Sequence, residues 1–156
     1  MWGMDSILVP IDFSRVTRCV VTEAIRLASR RGGRIVLLHV VNPPGLAGGA
    51  DAVFTELAPL IESLQDAAAG ELERWRLFVG KRYRDVDAVQ AAGYPALEIG
   101  RAARKHRARY IVMGSHGHTG FYDLLIGSTT SGVLRRAPCP LVVVRDEPSR
   151  DAPRGG

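Results

Sequence analysis

The stretch ARYIVMGSHGHTGFYDLLIGSTTSGVLRR, residues 108–136, contains the sequence of elements that decides the fold. Residues 108–113 are a short apolar run rich in β-branched side chains, which predicts a buried strand. Residues 128–136 predict a short helix that Pro138 stops. The glycines and hydroxyls between them are typical of an anion-binding loop, because glycines allow backbone N–H groups to approach closely and a helix start offers unpaired N–H groups.

Strands alternate with helices along the whole chain. We predict strands at 6–11, 34–41, 85–91, 108–113 and 141–145, and helices at 14–31 (with Ser14 as cap), 54–79, 95–106 and 128–136. The buried stripe of the second helix is expected to consist of Leu57, Leu60, Ile61, Leu64, Ala68, Leu72, Trp75 and Phe78. This alternation predicts an α/β fold, a single-domain, five-stranded parallel doubly wound (Rossmann-like) sheet with four helices over residues 1–146, followed by a disordered tail at 147–156.

Composition narrows the class of protein. The chain has 156 residues, 46% of them hydrophobic, which suits one ordinary domain. Two cysteines are too few for a disulfide framework, and no apolar run approaches a membrane span, so we expect a cytoplasmic protein with no membrane contact. The net charge is +5, and basic residues concentrate in two clusters, at 26–34 and 101–109, at the ends of the first and third predicted helices, where the helix dipole favours cations. Aromatic residues are only 6% and do not interleave with the arginines, so nucleic acid is not expected as a partner.

Other loop motifs fail on particular residues. The spacing of Gly127 and Gly132 fits a P-loop, but Val133 and Leu134 stand where the lysine and hydroxyl residue would be. The dinucleotide fingerprint is absent after the first strand, SILVPIDFS. A hydrolase elbow would need glycine in place of Met113, so Ser115 is interpreted as a loop hydroxyl and not as a nucleophile.

A doubly wound sheet binds ligands beyond the carboxyl ends of its strands, where the strand order reverses. The first and fourth strands are the natural pair at that point, and their ends place Asp12 near the glycine loop. A carboxylate there can bind ribose hydroxyls. It can equally cap the first helix together with Ser14, and the residues alone leave both roles open.

A family resemblance covers nearly the whole chain, from about residue 6 to residue 145. The segments VPIDFS, RIVLLHVV, GYPALEI, YIVMGSHG, IGSTTSGVL and RRAPCPLVVVR resemble, in this order, the universal stress protein family. The ATP-binding branch of that family carries the pattern G-x2-G-x9-G-[ST]. Gly114, Gly117, Gly127 and Ser128 match it with the same spacing.

The resemblance implies a strand order of 3-2-1-4-5 and an ATP molecule over the carboxyl ends of strands 1 and 4. By similarity, Asp12 would hold the ribose, and the backbone of Val40 would meet the adenine edge. The residues expected to line the adenosine are Pro10, Ile11 and Met113, and those expected around the triphosphate are Gly114, Gly117, Gly127, Ser128, Thr129 and Thr130. His118 occupies a loop position able to reach phosphate.

Metal binding by the protein itself is not expected, because His116 and His118 alone are an incomplete ligand set. A Mg²⁺ or Mn²⁺ ion held mainly by ATP phosphates fits better. His39, in an apolar strand, is interpreted as a satisfied core histidine, and Trp75 as a core residue.

The fifth strand presents an apolar sheet edge of the kind that proteins usually protect. The resemblance suggests pairing with the same strand of a second copy through Leu141, Val142, Val143 and Val144, which gives a homodimer. We predict a regulatory stress-response module without a dedicated catalytic base. The alternatives are a slow ATP hydrolase in which Asp12, His116 or His118 orders water, and a scaffold of the same fold that binds no nucleotide.

Overall fold

A computed structural model describes residues 5–42, 51–116 and 126–146, and for residues 51–57 it describes the backbone alone. Its elements in chain order are β1 Ser6–Pro10, α1 Thr17–Arg31, β2 Arg34–Val41, α2 Asp51–Gly80, β3 Val86–Ala92, α3 Pro95–Lys105, β4 Ala108–Gly114, α4 Ser128–Arg136 and β5 Leu141–Val144. The strands pair in parallel in the order β3-β2-β1-β4-β5. The predicted α/β doubly wound sheet, its order and its four helices are therefore confirmed. The expected tail at 147–156 lies outside the described residues and stays a prediction.

The sheet separates two hydrophobic layers. On one face, Val9 and Leu37 pack with Val20 and Val21 of α1 and with Leu72 of α2. The other face buries a second set of side chains, contributed by β1, β2, β4, α3 and α4: Leu8, Val36, Leu38, Ala96, Ile99, Ile111, Met113 and Val133. Because both faces are covered, the central strands are almost continuously apolar.

The start of α1 differs from the prediction. Val16 is the N-cap, and no described side chain caps this helix. The carbonyl of Ser14 accepts a hydrogen bond from the Thr17 N–H group at 3.1 Å, while the Ser14 hydroxyl is buried without a partner among the described residues. The turn before the helix directs this hydroxyl inward, so the prediction that Ser14 caps α1 is wrong.

The buried stripe predicted for α2 is confirmed at Ala68 and Leu72 but not at Leu60 and Leu64, while the side chain of Leu57 lies outside the described part of the chain. Leu72 is buried, and Trp75 packs on the core beside Phe78, which confirms its interpretation as a core residue. Leu60 and Leu64 are 45% and 39% exposed. With 30 residues, α2 is about 45 Å long, whereas the eight residues of β2 span about 26 Å. The first half of the helix therefore extends past the sheet that its apolar face was expected to cover.

Arginines at the helix ends satisfy backbone carbonyls. The Arg104 guanidinium donates to the carbonyls of Gly100 and Arg136, and Arg136 donates to the carbonyl of Gly132. These contacts close the last turns of α3 and α4, where cations also interact favourably with the helix dipole. They agree with the interpretation that arginines at the end of α3 stabilise helix ends.

Two further expectations from composition can be compared with the structure. Cys19 and Cys139 are both free, and burial raises the pKa of the Cys139 thiol above its usual value. Within the described residues, no helix is both long and apolar enough to cross a membrane.

Phe13, in the turn between β1 and α1, has a left-handed backbone with φ of 64°. Such a conformation is rare for a bulky residue and persists only where surrounding contacts enforce it. The Phe13 ring packs on the core and stacks on His39 with ring centroids 4.2 Å apart. These contacts therefore hold a strained residue at the end of β1.

The strain can be measured by comparing two variants that both lack the ring. We expect Phe13→Gly to have a higher free energy of unfolding than Phe13→Ala, by about 1 kcal/mol, because only glycine adopts this φ without a steric penalty. Urea unfolding of the two variants measures the difference. Equal stabilities would show that the turn relaxes once the ring is removed.

Candidate functional site

A cavity opens at the point where the order of the strands in the sheet reverses. The connection after β1 leads to β2 on one side, and the connection after β4 leads to β5 on the other, so the loops diverge above the β1–β4 pair. The cavity has a volume of about 150 Å³. It is lined by Pro10, Ile11, Asp12, Val16, Thr17, Val20, Leu38, Val40, Pro95, Ile99, Met113, Gly114, His116, Thr129 and Thr130. The structure thus brings together eight of the twelve residues predicted for the site.

The four other predicted residues are not among those that line the cavity in the described part of the chain. Gly127 and Ser128 form the start of α4 beside the cavity, and Ser128 is exposed. Gly117 and His118 lie outside the described residues.

Asp12 lies in the turn that connects β1 to α1. Its Oδ1 accepts a hydrogen bond from the Ser14 N–H group at 3.0 Å, and its side chain also lines the cavity. It therefore closes the β1–α1 turn and does not cap α1. An ionised carboxylate has about four acceptor positions, so Asp12 can accept hydrogen bonds from hydroxyl groups as well as from the Ser14 N–H group.

The cavity walls are mostly apolar. Pro10, Ile11 and Met113 end the two central strands, and Val40 lies at the end of β2. Together these side chains form an apolar wall at the ends of the central strands, which suits the face of a flat aromatic ring.

The N-terminus of α4 adds the polar end of the site. Gly127 is the N-cap in an extended conformation, no described side chain caps this helix, and its first turn contains no acidic residue. The first N–H groups of an α-helix have no acceptor within the helix and carry the positive end of its dipole. Thr129 and Thr130 bring this end to the cavity. The arrangement can bind an anion.

Two glycines make the approach of these elements possible. A Cβ atom at Gly114 would lie 2.7 Å from Cγ1 of Val16 and 3.2 Å from the His116 carbonyl oxygen. One at Gly127 would lie 3.2 Å from the Ser115 carbonyl oxygen, which accepts the Gly127 N–H group at 2.8 Å. Both glycines thus serve close packing around the cavity.

Ser115 and His116 follow β4 directly. Ser115 is 5% exposed, and its Oγ lies 3.1 Å from Nδ1 of His116, so it behaves as the loop hydroxyl that was expected. His116 lines the cavity. In the described part of the chain, no three His, Cys, Asp or Glu side chains converge as a metal site.

Thr17 lines the cavity but was not predicted. It is 1% exposed, and its Oγ1 has no hydrogen-bond partner among the described residues. Thr130 is 3% exposed, yet its Oγ1 donates to the Gly114 carbonyl oxygen at 2.9 Å and so ties α4 to β4. Thr17 lies inside the helix predicted at 14–31, and its sequence position gave no separate signal of a role in the site.

These two threonines form a matched pair for a stability test. Thr17→Val should raise the free energy of unfolding of the ligand-free protein by about 1 kcal/mol, because it removes a buried polar group without a partner. Thr130→Val should lower it by about 1–3 kcal/mol, because the Gly114 carbonyl loses its donor. Urea unfolding measures both. A loss of stability in Thr17→Val as large as that in Thr130→Val would contradict the contact pattern.

Comparisons with known proteins agree on one family. A sequence model of the universal stress protein family matches residues 4–145. Universal stress protein MJ0531 of Methanocaldococcus jannaschii is 29% identical over 139 residues, which cover 89% of this chain and 81% of that protein. The structure of universal stress protein UspA from Lactobacillus plantarum is similar with a TM-score of 0.80 and 27% identity, over 93% of this chain and 100% of that one.

A universal stress protein from Archaeoglobus fulgidus shares the fold, with a TM-score of 0.63 at 20% identity over 92% of this chain and 98% of that one. The family model spans almost the whole length of this chain, including β1, β4 and the cavity between them. The chain therefore belongs to the universal stress protein family.

Proposed function

We propose that this protein binds ATP in the cavity above β1 and β4 and works in the cytoplasm as a homodimeric regulatory module in a stress response. One observation carries the proposal: a carboxylate, Asp12, and the N-terminus of α4 meet at the same apolar cavity. An adenine nucleotide has a matching order of parts, a flat ring, a sugar with hydroxyl groups and an anionic chain.

Each part of the nucleotide has a partner in this arrangement. The adenine ring would lie against Ile11, Val40 and Met113, and the ribose hydroxyls would donate to Asp12. The phosphates would accept hydrogen bonds from the backbone at the start of α4. The A. fulgidus relative was solved in complex with dAMP, an adenine nucleotide, which supports this class of ligand.

The proposed contacts to the ATP phosphates include residues outside the described part of the chain. We retain Gly117 as a phosphate contact because it belongs to the motif with Gly114, Gly127 and Ser128, and His118 because it follows Gly117 at a position expected to reach phosphate. A Mg²⁺ or Mn²⁺ ion would be held mainly by the phosphates, since Mg²⁺ in nucleotide sites keeps several waters and takes few protein ligands.

The nucleotide can be tested with two variants that address its two ends. Asp12→Asn keeps the acceptor for the Ser14 N–H group but removes the charge, so it should weaken ATP and AMP binding alike, by about tenfold. Ser128→Glu places a carboxylate at the start of α4, which the helix dipole tolerates. It should weaken ATP binding by at least about tenfold and AMP binding less, because it repels the outer phosphates. Isothermal titration calorimetry measures both.

Ser29→Glu is the matched control for Ser128→Glu. It adds the same charge at an exposed position near the C-terminus of α1, whereas the N-terminus of α1 lies at the cavity. It should bind both nucleotides as the unchanged protein does. Mass spectrometry of the bound nucleotide should recover intact ATP. Absence of binding to the unchanged protein would favour the scaffold alternative, and stoichiometric conversion to ADP within minutes, lost in His116→Ala, would favour the hydrolase.

The proposed dimer uses the free edge of β5. The carbonyls of Pro140 and Val144 accept hydrogen bonds from the N–H groups of Ile111 and Ser115, so these alternate residues face β4. By the two-residue period of a strand, the backbone groups of Val143 face the other edge, which pairs with none of the described residues. The Val143 side chain is 40% exposed. This edge supports pairing with a second copy.

Val143→Pro removes an N–H group from the outer edge and leaves the bonds to β4 in place. We expect the unchanged protein to sediment as a dimer at micromolar concentration and Val143→Pro as a monomer. Val143→Ala, which retains the N–H group, should remain a dimer. A stable monomer of the unchanged protein in analytical ultracentrifugation would refute the proposed interface.

A further inference from the structure

His39 makes two contacts that join β2 to the turn after β1. Its Nδ1 lies 2.9 Å from the carbonyl oxygen of Ile11. Because a carbonyl oxygen only accepts hydrogen bonds, Nδ1 carries the hydrogen and donates it. The His39 ring also stacks on the Phe13 ring, with 4.2 Å between the centroids and 22° between the planes. The expectation of a satisfied histidine is thus met by a specific pair of contacts.

Both contacts fall on the immediate neighbours of Asp12. Ile11 precedes it and is held by β2 at both polar groups, since its N–H group donates to the Leu38 carbonyl at 2.8 Å and its carbonyl accepts from His39. Phe13 follows it and lies under the His39 ring. Asp12 is therefore fixed between two residues that the same side chain contacts.

His39 does not line the cavity itself. Leu38 and Val40, its neighbours in β2, do, and side chains alternate between the faces of a strand. His39 accordingly reaches the site from the α1 side of the sheet, through the backbone of the turn. Its influence on a ligand must act through the turn that carries Ile11 and Asp12.

The turn needs such support because its conformation is strained. The left-handed Phe13 sends the chain back so that the Ser14 N–H group meets the Asp12 carboxylate at 3.0 Å. Strained residues of this kind are retained where neighbouring contacts enforce them. The His39 stack and the His39 hydrogen bond are two such contacts, on either side of Asp12.

We infer that His39 is a positioning residue that holds the Asp12 turn in the shape that nucleotide binding requires. The expected effect of His39 on binding rests on the proposed function. The geometry of the turn is that of the ligand-free structure. The hydrogen bond from Nδ1, and not general packing of the ring, is the part that sets the Ile11 carbonyl and hence the direction of Asp12.

Two variants separate the hydrogen bond from the stacking. His39→Phe keeps an aromatic ring over Phe13 but has no donor. His39→Asn loses the ring but carries an amide N–H₂ group on Cγ, at the position of Nδ1, and can donate to Ile11. His106→Asn is the control, since His106 lies at the end of α3 away from the cavity.

Two measurements apply to each variant. The amide hydrogen exchange of Ser14, followed by NMR in the ligand-free protein, reports the bond to Asp12. Calorimetry with ATP reports the Kd. His39→Phe should accelerate the exchange and raise the Kd, each by about tenfold, the size expected for one lost hydrogen bond. His39→Asn should stay within about threefold of the unchanged protein in both, even where urea unfolding shows that it is the less stable variant. His106→Asn should match the unchanged protein.

The inference is overturned if His39→Phe exchanges Ser14 at the unchanged rate, or if His39→Asn is impaired as much as His39→Phe. The second outcome would reduce His39 to a packing residue. A protein that binds no ATP would refute the proposed function, while the exchange of Ser14 would still decide the role of His39.

Discussion

Parallel pairing of β1 with β4 at the centre of the sheet is the constraint on which the rest of the structure depends. The pairing places Ile7 beside Tyr110 and Leu8 beside Ile111, so the two strands end side by side. Their connections then leave in opposite directions, and no following element can cover the gap between them. The cavity is thus a consequence of topology, and the residues at the strand ends decide what it can bind.

The elements of this fold could be predicted from the sequence because each has a local signal. Alternating apolar runs, Pro95 at a helix start and the glycines after α1 locate most boundaries without reference to distant residues. The two failures both involve tertiary contacts. Leu60 and Leu64 have helical spacing, but spacing does not reveal that the sheet ends before they reach it. Ser14 has the chemistry of a cap, but the strained turn before α1 redirects it.

The candidate site shows the same division. The motif and the switch point predict that Asp12, Gly114 and the start of α4 lie together, and the structure brings these parts to one cavity. Thr17 and His39 could not be, because their importance depends on which carbonyls and cavities lie opposite them after folding. Strain at Phe13 and an unpartnered hydroxyl at Thr17 both occur in the few residues around Asp12. Such local costs to stability commonly concentrate at binding sites.

The side chains that line the described part of the cavity agree better with the proposed binding of a nucleotide than with its cleavage. Among the described residues that line the cavity, none is Lys or Arg, so the phosphates would meet backbone N–H groups at α4 in place of a cationic side chain. Nucleotide hydrolases stabilise the charge that develops on the transferred phosphoryl group with lysine, arginine and bound metal ions. The N-terminus of α4 supplies no cationic side chain for that charge, which agrees with the proposed role of the site in holding ATP.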